Sequence, residues 1–260
     1  MRIRVLLRLL LDRYGLWLVG GLLVILAGLT VFRSCRREPD MNWQTVAPFA
    51  IRIPMRYGIH GIDVSRHNAR IDWDRVKQVE TNAVRLQFVF IKATEGATLA
   101  DRQFSRNWAG AQRAGLRRGA YHFYHPTRDP LKQANNFIRH VALLSGDFAP
   151  VVDFEVVNGQ SDETIITGLR TWLETVEAYY HTRPIIYTNG SLYKRYIKGQ
   201  LDTYPLWIAD YSAAHLRMYP ADNLYIWQHN QSGRVPGIRG MVDFNAFVMD
   251  DSELATLCIP

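Results

Sequence analysis

From residue 58 onward, short apolar runs alternate with longer amphipathic ones, the pattern of strands joined by crossover helices in a parallel sheet. Strands are expected near 59–64, 88–93, 118–123, 150–155, 184–188, 205–210, 224–228 and 239–244. Helical periodicity falls at about 72–80, 102–114, 130–144 and 162–180, with a shorter stretch at 191–197. Eight strands suggest a closed barrel. The last three connections are too brief for full crossover helices, so the predicted fold class is α/β, an irregular TIM-like barrel with an incomplete helical ring.

Ahead of this alternation the pattern changes character. Residues 14–32 carry no charge for nineteen positions, about the thickness of a bilayer core at helical rise, and are predicted to form one transmembrane helix. Residues 1–13 form a basic segment with Arg2, Arg4, Arg8 and Arg13, while Arg33, Arg36 and Arg37 follow the span. This favours a cytoplasmic N-terminus only weakly. No small-x-small cleavage pattern follows the apolar run, which points to an uncleaved signal anchor. Residues 33–57, with Pro39, Pro48 and Pro54 and no clear period, read as a linker holding a catalytic domain at 58–260 away from the membrane.

Charge follows the same division. Residues 1–56 hold nine Arg, no Lys and three acids, leaving 22 basic and 21 acidic residues for the remainder. The folded part is nearly neutral, so the high overall charge gives no support to a nucleic-acid partner. Of the two cysteines, Cys35 and Cys258, neither has catalytic context, and sequence alone does not place them within bridging distance. His122-x-x-His125 lacks the further ligands a metal site needs, and no cofactor is expected.

The candidate chemistry lies in carboxylates. Asp153 and Glu155 sit two apart in the apolar run 150–157, so on a strand they share a face while Phe154 takes the other. Crowding and desolvation disfavour ionising both, which raises at least one pKa toward neutrality, as a general acid requires. Asp63 ends the first expected strand and Asp243 the eighth, so barrel closure should set these two side by side at the same rim. Lys92 ends the second strand as the basic residue nearest them and is a candidate substrate contact. Aromatic and polar side chains fall on the same side: Tyr121, Tyr124, Tyr187, Trp207, Asp210, Tyr211, Trp227 and Gln228 are candidate substrate contacts. Rings that cover pyranose C–H faces, beside acids and amides that bond hydroxyl and acetamido groups, suit a sugar chain.

Read in order, Gly61-Ile62-Asp63-Val64-Ser65, Phe90-Ile91-Lys92-Ala93-Thr94-Glu95-Gly96, Gly119-Ala120-Tyr121-His122-Phe123, Val152-Asp153-Phe154-Glu155, Trp207-Ile208-Ala209-Asp210-Tyr211, Trp227-Gln228 and Val242-Asp243-Phe244-Asn245 resemble successive strand motifs of glycoside hydrolase family 25. These are the Chalaropsis-type lysozymes, or N-acetylmuramidases, and the match runs over about 58–250. The resemblance implies a (β/α)5(β)3 barrel that cleaves the β-1,4 bond between N-acetylmuramic acid and N-acetylglucosamine in peptidoglycan. The family's acidic positions match Asp63, Asp153, Glu155 and Asp243. Glu155 is assigned as general acid. Asp153 either assists the substrate's acetamido group, as the resemblance suggests, or acts as nucleophile. Asp63 and Asp243 would fix hydroxyls, tune Glu155 or stabilise positive charge at the anomeric carbon. The short anchored form resembles Gram-negative members, implying a bacterial inner-membrane protein whose catalytic domain faces the periplasm and peptidoglycan strands. The alternative is a non-catalytic peptidoglycan-binding or scaffolding protein on the same fold. A chitinase-like hydrolase is a weaker rival.

Overall fold

The computed structural model describes residues 40–260 except 80, 82 and 83, together with Ile25. The expected transmembrane helix therefore lies, but for that one residue, outside the described residues. Among the described residues no helix is long and apolar enough to cross a membrane. Residues 40–260 form one compact unit.

Its centre is a closed barrel of eight strands. Numbering strands along the chain, β3 (His60–Val64), β4 (Leu86–Glu95), β6 (Arg117–Phe123), β7 (Val151–Asp153), β8 (Ile185–Asn189), β9 (Leu206–Ala209) and β10 (Leu224–Gly233) run parallel in that order. β11 (Val242–Phe247) pairs antiparallel with both β10 and β3 and closes the ring. The two-residue β5 (Leu99–Ala100) adds only to the end of β4. Phe88, Phe90, Phe148, Val151, Ile185, Trp207, Ile226 and Phe247 fill the interior. The alternate residues Val89, Ile91, Val152, Ile186 and Ile208 belong to the larger core outside the ring. Both faces are thus apolar, as a covered parallel sheet demands. Space inside is tight enough to dictate glycine: a Cβ on Gly119 would sit 2.2 Å from the Phe90 ring, and one on Gly61 2.3 Å from Phe88.

Helices α1 (Trp73–Lys77), α2 (Phe104–Arg113), α3 (Pro130–His140) and α4 (Asp162–Tyr180) occupy the early connections. Their starts follow sequence-local chemistry. Asp129 caps α3 by accepting from Lys132 N ahead of Pro130, and Ser161 caps α4 by accepting from Thr164 N. After β8 only one turn, α5 (Gly190–Leu192), and a π-turn at Tyr193–Ile197 intervene, and after β9 only a 3-10 segment. The incomplete ring expected from the short connections is present.

Two expectations need correction. β11 spans 242–247 rather than 239–244, and it runs against its neighbours, because the few residues between β10 and β11 allow a hairpin but not a parallel crossover. Asp243 therefore stands near the beginning of its strand, yet reversed direction brings that beginning to the rim where the other strands end. Residues 43–54, expected within the linker, instead form a hairpin of β1 (Trp43–Val46) and β2 (Ile51–Pro54) against the barrel wall. Phe49 at its turn is fully buried 5.0 Å from the Phe244 ring, and Trp43 packs 5.9 Å from Trp227. The alternation in Ile51-Arg52-Ile53 was the available signal, masked by the flanking prolines. Cys258 is a buried free thiol.

Candidate active site

Asp63 on β3 and Asp243 on β11 are paired directly across the antiparallel ladder. Such positions put two side chains on one face within about 5.5 Å at Cβ. Asp63 Oδ2 accepts from Gln228 Nε2 at 3.0 Å and from Asn245 Nδ2 at 2.9 Å. The orientation of Asn245 is fixed from its other end, where Oδ1 accepts from the indole of Trp207 at 2.8 Å, and an indole N–H can only donate. Asp63 also hydrogen-bonds Asp243, which two carboxyls achieve only by sharing a proton. Burial pushes both upward. The amide donors lower Asp63, whereas the charge of Asp63 helps drive Asp243 up to about 8. At neutral pH Asp243 therefore holds a proton, which Asp63 accepts in the hydrogen bond.

Asp153 ends β7 and is buried, with Oδ1 unpartnered among the described residues. Burial and then the negative charge of Glu155 push it well above the usual carboxylate range, against an opposing pull from Lys92. Glu155, two residues on, opens to solvent at the rim. Its pKa is raised by desolvation within the crowded mouth and by Asp63, and lowered by Tyr187 and Lys92.

The hydroxyl of Tyr187 lies 3.1 Å from Gln228 Oε1 and 3.3 Å from Glu155 Oε1. Because Gln228 commits its amide N–H to Asp63, its oxygen faces Tyr187 and can only accept. The phenolic O–H donates to either oxygen, and Tyr211 OH, 3.3 Å from the same Gln228 oxygen, is a second donor there, which leaves Tyr187 free to donate to Glu155.

Asp63, Asp153, Glu155 and Asp243 line one small cavity of about 100 Å³ with Tyr121, Tyr187 and Trp207. A compact mouth with four acids, one shared proton and aromatic walls fits acid-assisted cleavage of a polyhydroxylated substrate. Comparison with known proteins agrees: the family model described as glycosyl hydrolases family 25 matches residues 62–238. The chain belongs to glycosyl hydrolases family 25. It is a glycoside hydrolase. An uncharacterized Escherichia coli K12 protein, YegX, is 44% identical over 208 residues, 79% of this chain and 75% of that protein. Lysozyme M1 of Streptomyces globisporus is 32% identical, over 77% of this chain and 71% of its own length. Among solved structures, a family 25 glycosyl hydrolase from Bacillus anthracis superposes with a TM-score of 0.67 at 29% identity, covering 78% of this chain and 94% of that one.

The remaining candidates of this family 25 hydrolase separate by strand parity. Tyr121, Tyr187 and Trp207 face the cavity, and Gln228 stands behind it. Tyr211, 54% exposed, lies at the edge with its hydroxyl 3.3 Å from Gln228 Oε1. Two candidates are displaced. Trp227 follows Ile226 and precedes Gln228, which both face inward, so it faces out and is completely buried beneath the β1–β2 hairpin. Tyr124 is also buried, its hydroxyl within 2.4 Å of where a Cβ on Gly168 of α4 would stand. Asp210 is engaged in holding the chain after β9, accepting from Tyr219 OH at 2.8 Å and Ser212 N at 3.1 Å and contacting His215 Nδ1 at 3.0 Å. Lys92, on the inward face of β4 with Phe88 and Phe90, is not part of the cavity lining; it is buried and paired with Glu95 at 2.7 Å. Asn245 was legible as an inward residue, two positions after Asp243 on the same face.

Proposed function

We propose that this chain is a lysozyme of the muramidase type, hydrolysing the β-1,4 bond between N-acetylmuramic acid and N-acetylglucosamine in peptidoglycan. Family membership and similarity to proteins named as lysozymes support the substrate class. The observation that carries the residue roles is the convergence of Asp63, Asp153, Glu155 and Asp243 on one cavity, with Glu155 exposed at its rim and its carboxyl raised by desolvation and by Asp63. Glu155 protonates the departing glycosidic oxygen. The acetamido oxygen of the muramic acid then attacks the anomeric carbon from the opposite face, with Asp153 accepting the acetamide N–H and balancing the charge that develops there. Water, deprotonated by the now ionised Glu155, opens the intermediate and regenerates the acid. Asp63, which accepts from two amides and from the Asp243 carboxyl, stabilises positive charge at the reacting carbon. Tyr121, Tyr187, Trp207 and Tyr211 offer surfaces for the sugar rings.

The uncharged run at 14–32 supports a single membrane anchor, with the barrel facing the periplasm of a bacterial inner membrane. Membrane fractionation followed by alkaline extraction tests this, since release of the full chain into the soluble fraction contradicts an anchor. For the reaction, the full chain is incubated with purified sacculi and the products are resolved by mass spectrometry. New reducing ends on N-acetylmuramic acid are expected. Reducing ends on N-acetylglucosamine, chitin fragments alone, or binding without cleavage each overturn the assignment.

A further inference from the structure

On an unbroken strand, residues three apart face opposite ways. β4 departs from this: Lys92 pairs with Tyr121 and Thr94 with His122, so Ala93 is one residue too many on its side of the ladder. A bulge of this kind resets the facing of everything beyond it. Thr94 consequently points outward, its hydroxyl 2.7 Å from Nδ1 of buried His122, and Glu95 comes round to the face of Lys92. The ammonium of Lys92 donates to Glu95 Oε2 at 2.7 Å and lies 4.5 Å from the centre of the Phe123 ring.

The other oxygen of Glu95 is 3.2 Å from His125 Nε2, and His125 Nδ1 is 3.5 Å from Asn158 Nδ2. The histidine is held from behind by Gln133 of α3, fully buried, which accepts from its backbone N at 2.9 Å and donates to its carbonyl at 3.0 Å. Asn158 lies three residues beyond Glu155 in a turn that also contains Gly159 at φ 73°. A continuous line of contacts thus runs from the Lys92 ammonium to the segment that carries Glu155.

The charges on this line matter to the cavity because Lys92 acts on both Asp153 and Glu155. Glu95 offsets the charge of Lys92, and its other oxygen is engaged by His125 Nε2. The groups facing Lys92 are Glu95, Asp153, Glu155, His125 and the deeply buried His122, which is kept neutral by desolvation. Those facing His125 are Glu95, Asn158, Phe123, Lys92 and His122.

We propose that Glu95 and His125 are positioning residues of the active site, which act through Lys92 to set the positive charge facing Asp153 and Glu155. Glu95 offsets that charge, and His125, bonded to the other Glu95 oxygen and braced from behind by Gln133, holds the carboxylate in place. The proposal rests on the muramidase reading for its kinetic consequence only; the electrostatic coupling exists without turnover.

Two measurements on the full chain separate these. The first is the titration of the Asp153 carboxyl carbon by NMR, with the resonance assigned by its loss in Asp153→Asn. The second is the acidic limb of kcat/KM on sacculi. Glu95→Gln, which leaves Lys92 uncompensated, is expected to move the Asp153 midpoint and the acidic limb down by about half a pH unit or more, the scale of one charge acting across roughly 10 Å of partly solvated protein. Lys92→Met is expected to move both up by a similar amount and Lys92→Arg to restore them. His125→Phe, which leaves Glu95 bonded to Lys92 alone, is expected to move both up. If the midpoints stay in place in every variant that folds, while stability or kcat alone falls, the three residues are structural and the proposal is overturned. A wild-type chain without turnover sinks the muramidase reading, and the carboxyl titration still decides the coupling.

Discussion

Replacing Asp243 by asparagine is expected to stabilise the protein at neutral pH. Its carboxyl is raised from 3.8 to about 8, chiefly by burial and then by the charge and hydrogen bond of Asp63. A folded state that holds a proton the unfolded chain has released loses stability as pH rises. The contribution is thus fully present below about 4, declines between the two values, and is gone above about 8. At roughly 1.4 kcal/mol per pH unit the whole displacement corresponds to at most ~6 kcal/mol. The partly open mouth and the proton shared with Asp63 bring a realistic figure to about 2 kcal/mol. Asparagine stays neutral at every pH and can still donate to Asp63, so the variant escapes the decline. Thermal unfolding of the full chain from pH 4 to 8.5 should show Asp243→Asn flatter than wild type and several degrees more stable at pH 8. Parallel stability curves, or a variant less stable than wild type at pH 8, would falsify the shared-proton pair.

Three other substitutions probe the site and its support. Asn245→Leu removes one of the two amide donors to Asp63 and the acceptor for Trp207; a stability loss of about 1–3 kcal/mol and a fall in kcat of about tenfold or more are expected in unfolding and kinetic assays. Gly119→Ala drives a methyl into the Phe90 ring, and chemical denaturation should register a loss of about 3 kcal/mol, whereas an unchanged midpoint shows the interior is looser than described. Trp227→Ala should cost about 3–5 kcal/mol of stability with KM unchanged, while Tyr211→Ala should raise KM with little change in melting temperature. The opposite pattern reverses the facing of β10.

The barrel was readable because its strands repeat one signal: apolar runs bounded by turns, buried on both faces, joined by amphipathic helices of crossover length. The acids were readable for a related reason, since Asp63 and Asp243 lie near strand termini that closure must bring together. What misled was parity and direction. Trp227 and Gln228 are adjacent on one strand and cannot both face the cavity, and Tyr124 stands on the outward side beside inward Phe123, so a gathering of aromatics overstated the binding surface. The antiparallel sense of β11 was implicit in its short connection, yet the strand was placed three residues early. The β1–β2 hairpin hid behind Pro48 and Pro54, though its turn places Phe49 in the core. The bulge at Ala93, which turns Glu95 onto Lys92, has no signature in a single sequence, because it is fixed by pairing with β6 rather than by local chemistry.

The central claim is that Glu155, its carboxyl raised by desolvation at the mouth and by Asp63, delivers a proton to the glycosidic oxygen. The most direct measurement compares wild type with Glu155→Gln on purified sacculi, counting muramic acid reducing ends released per unit time at equal amounts of folded protein. Glutamine preserves shape and cannot supply the proton, so turnover should drop at least about a hundredfold while sacculus binding persists. A variant that still releases those ends within a few-fold of the wild-type rate contradicts the account.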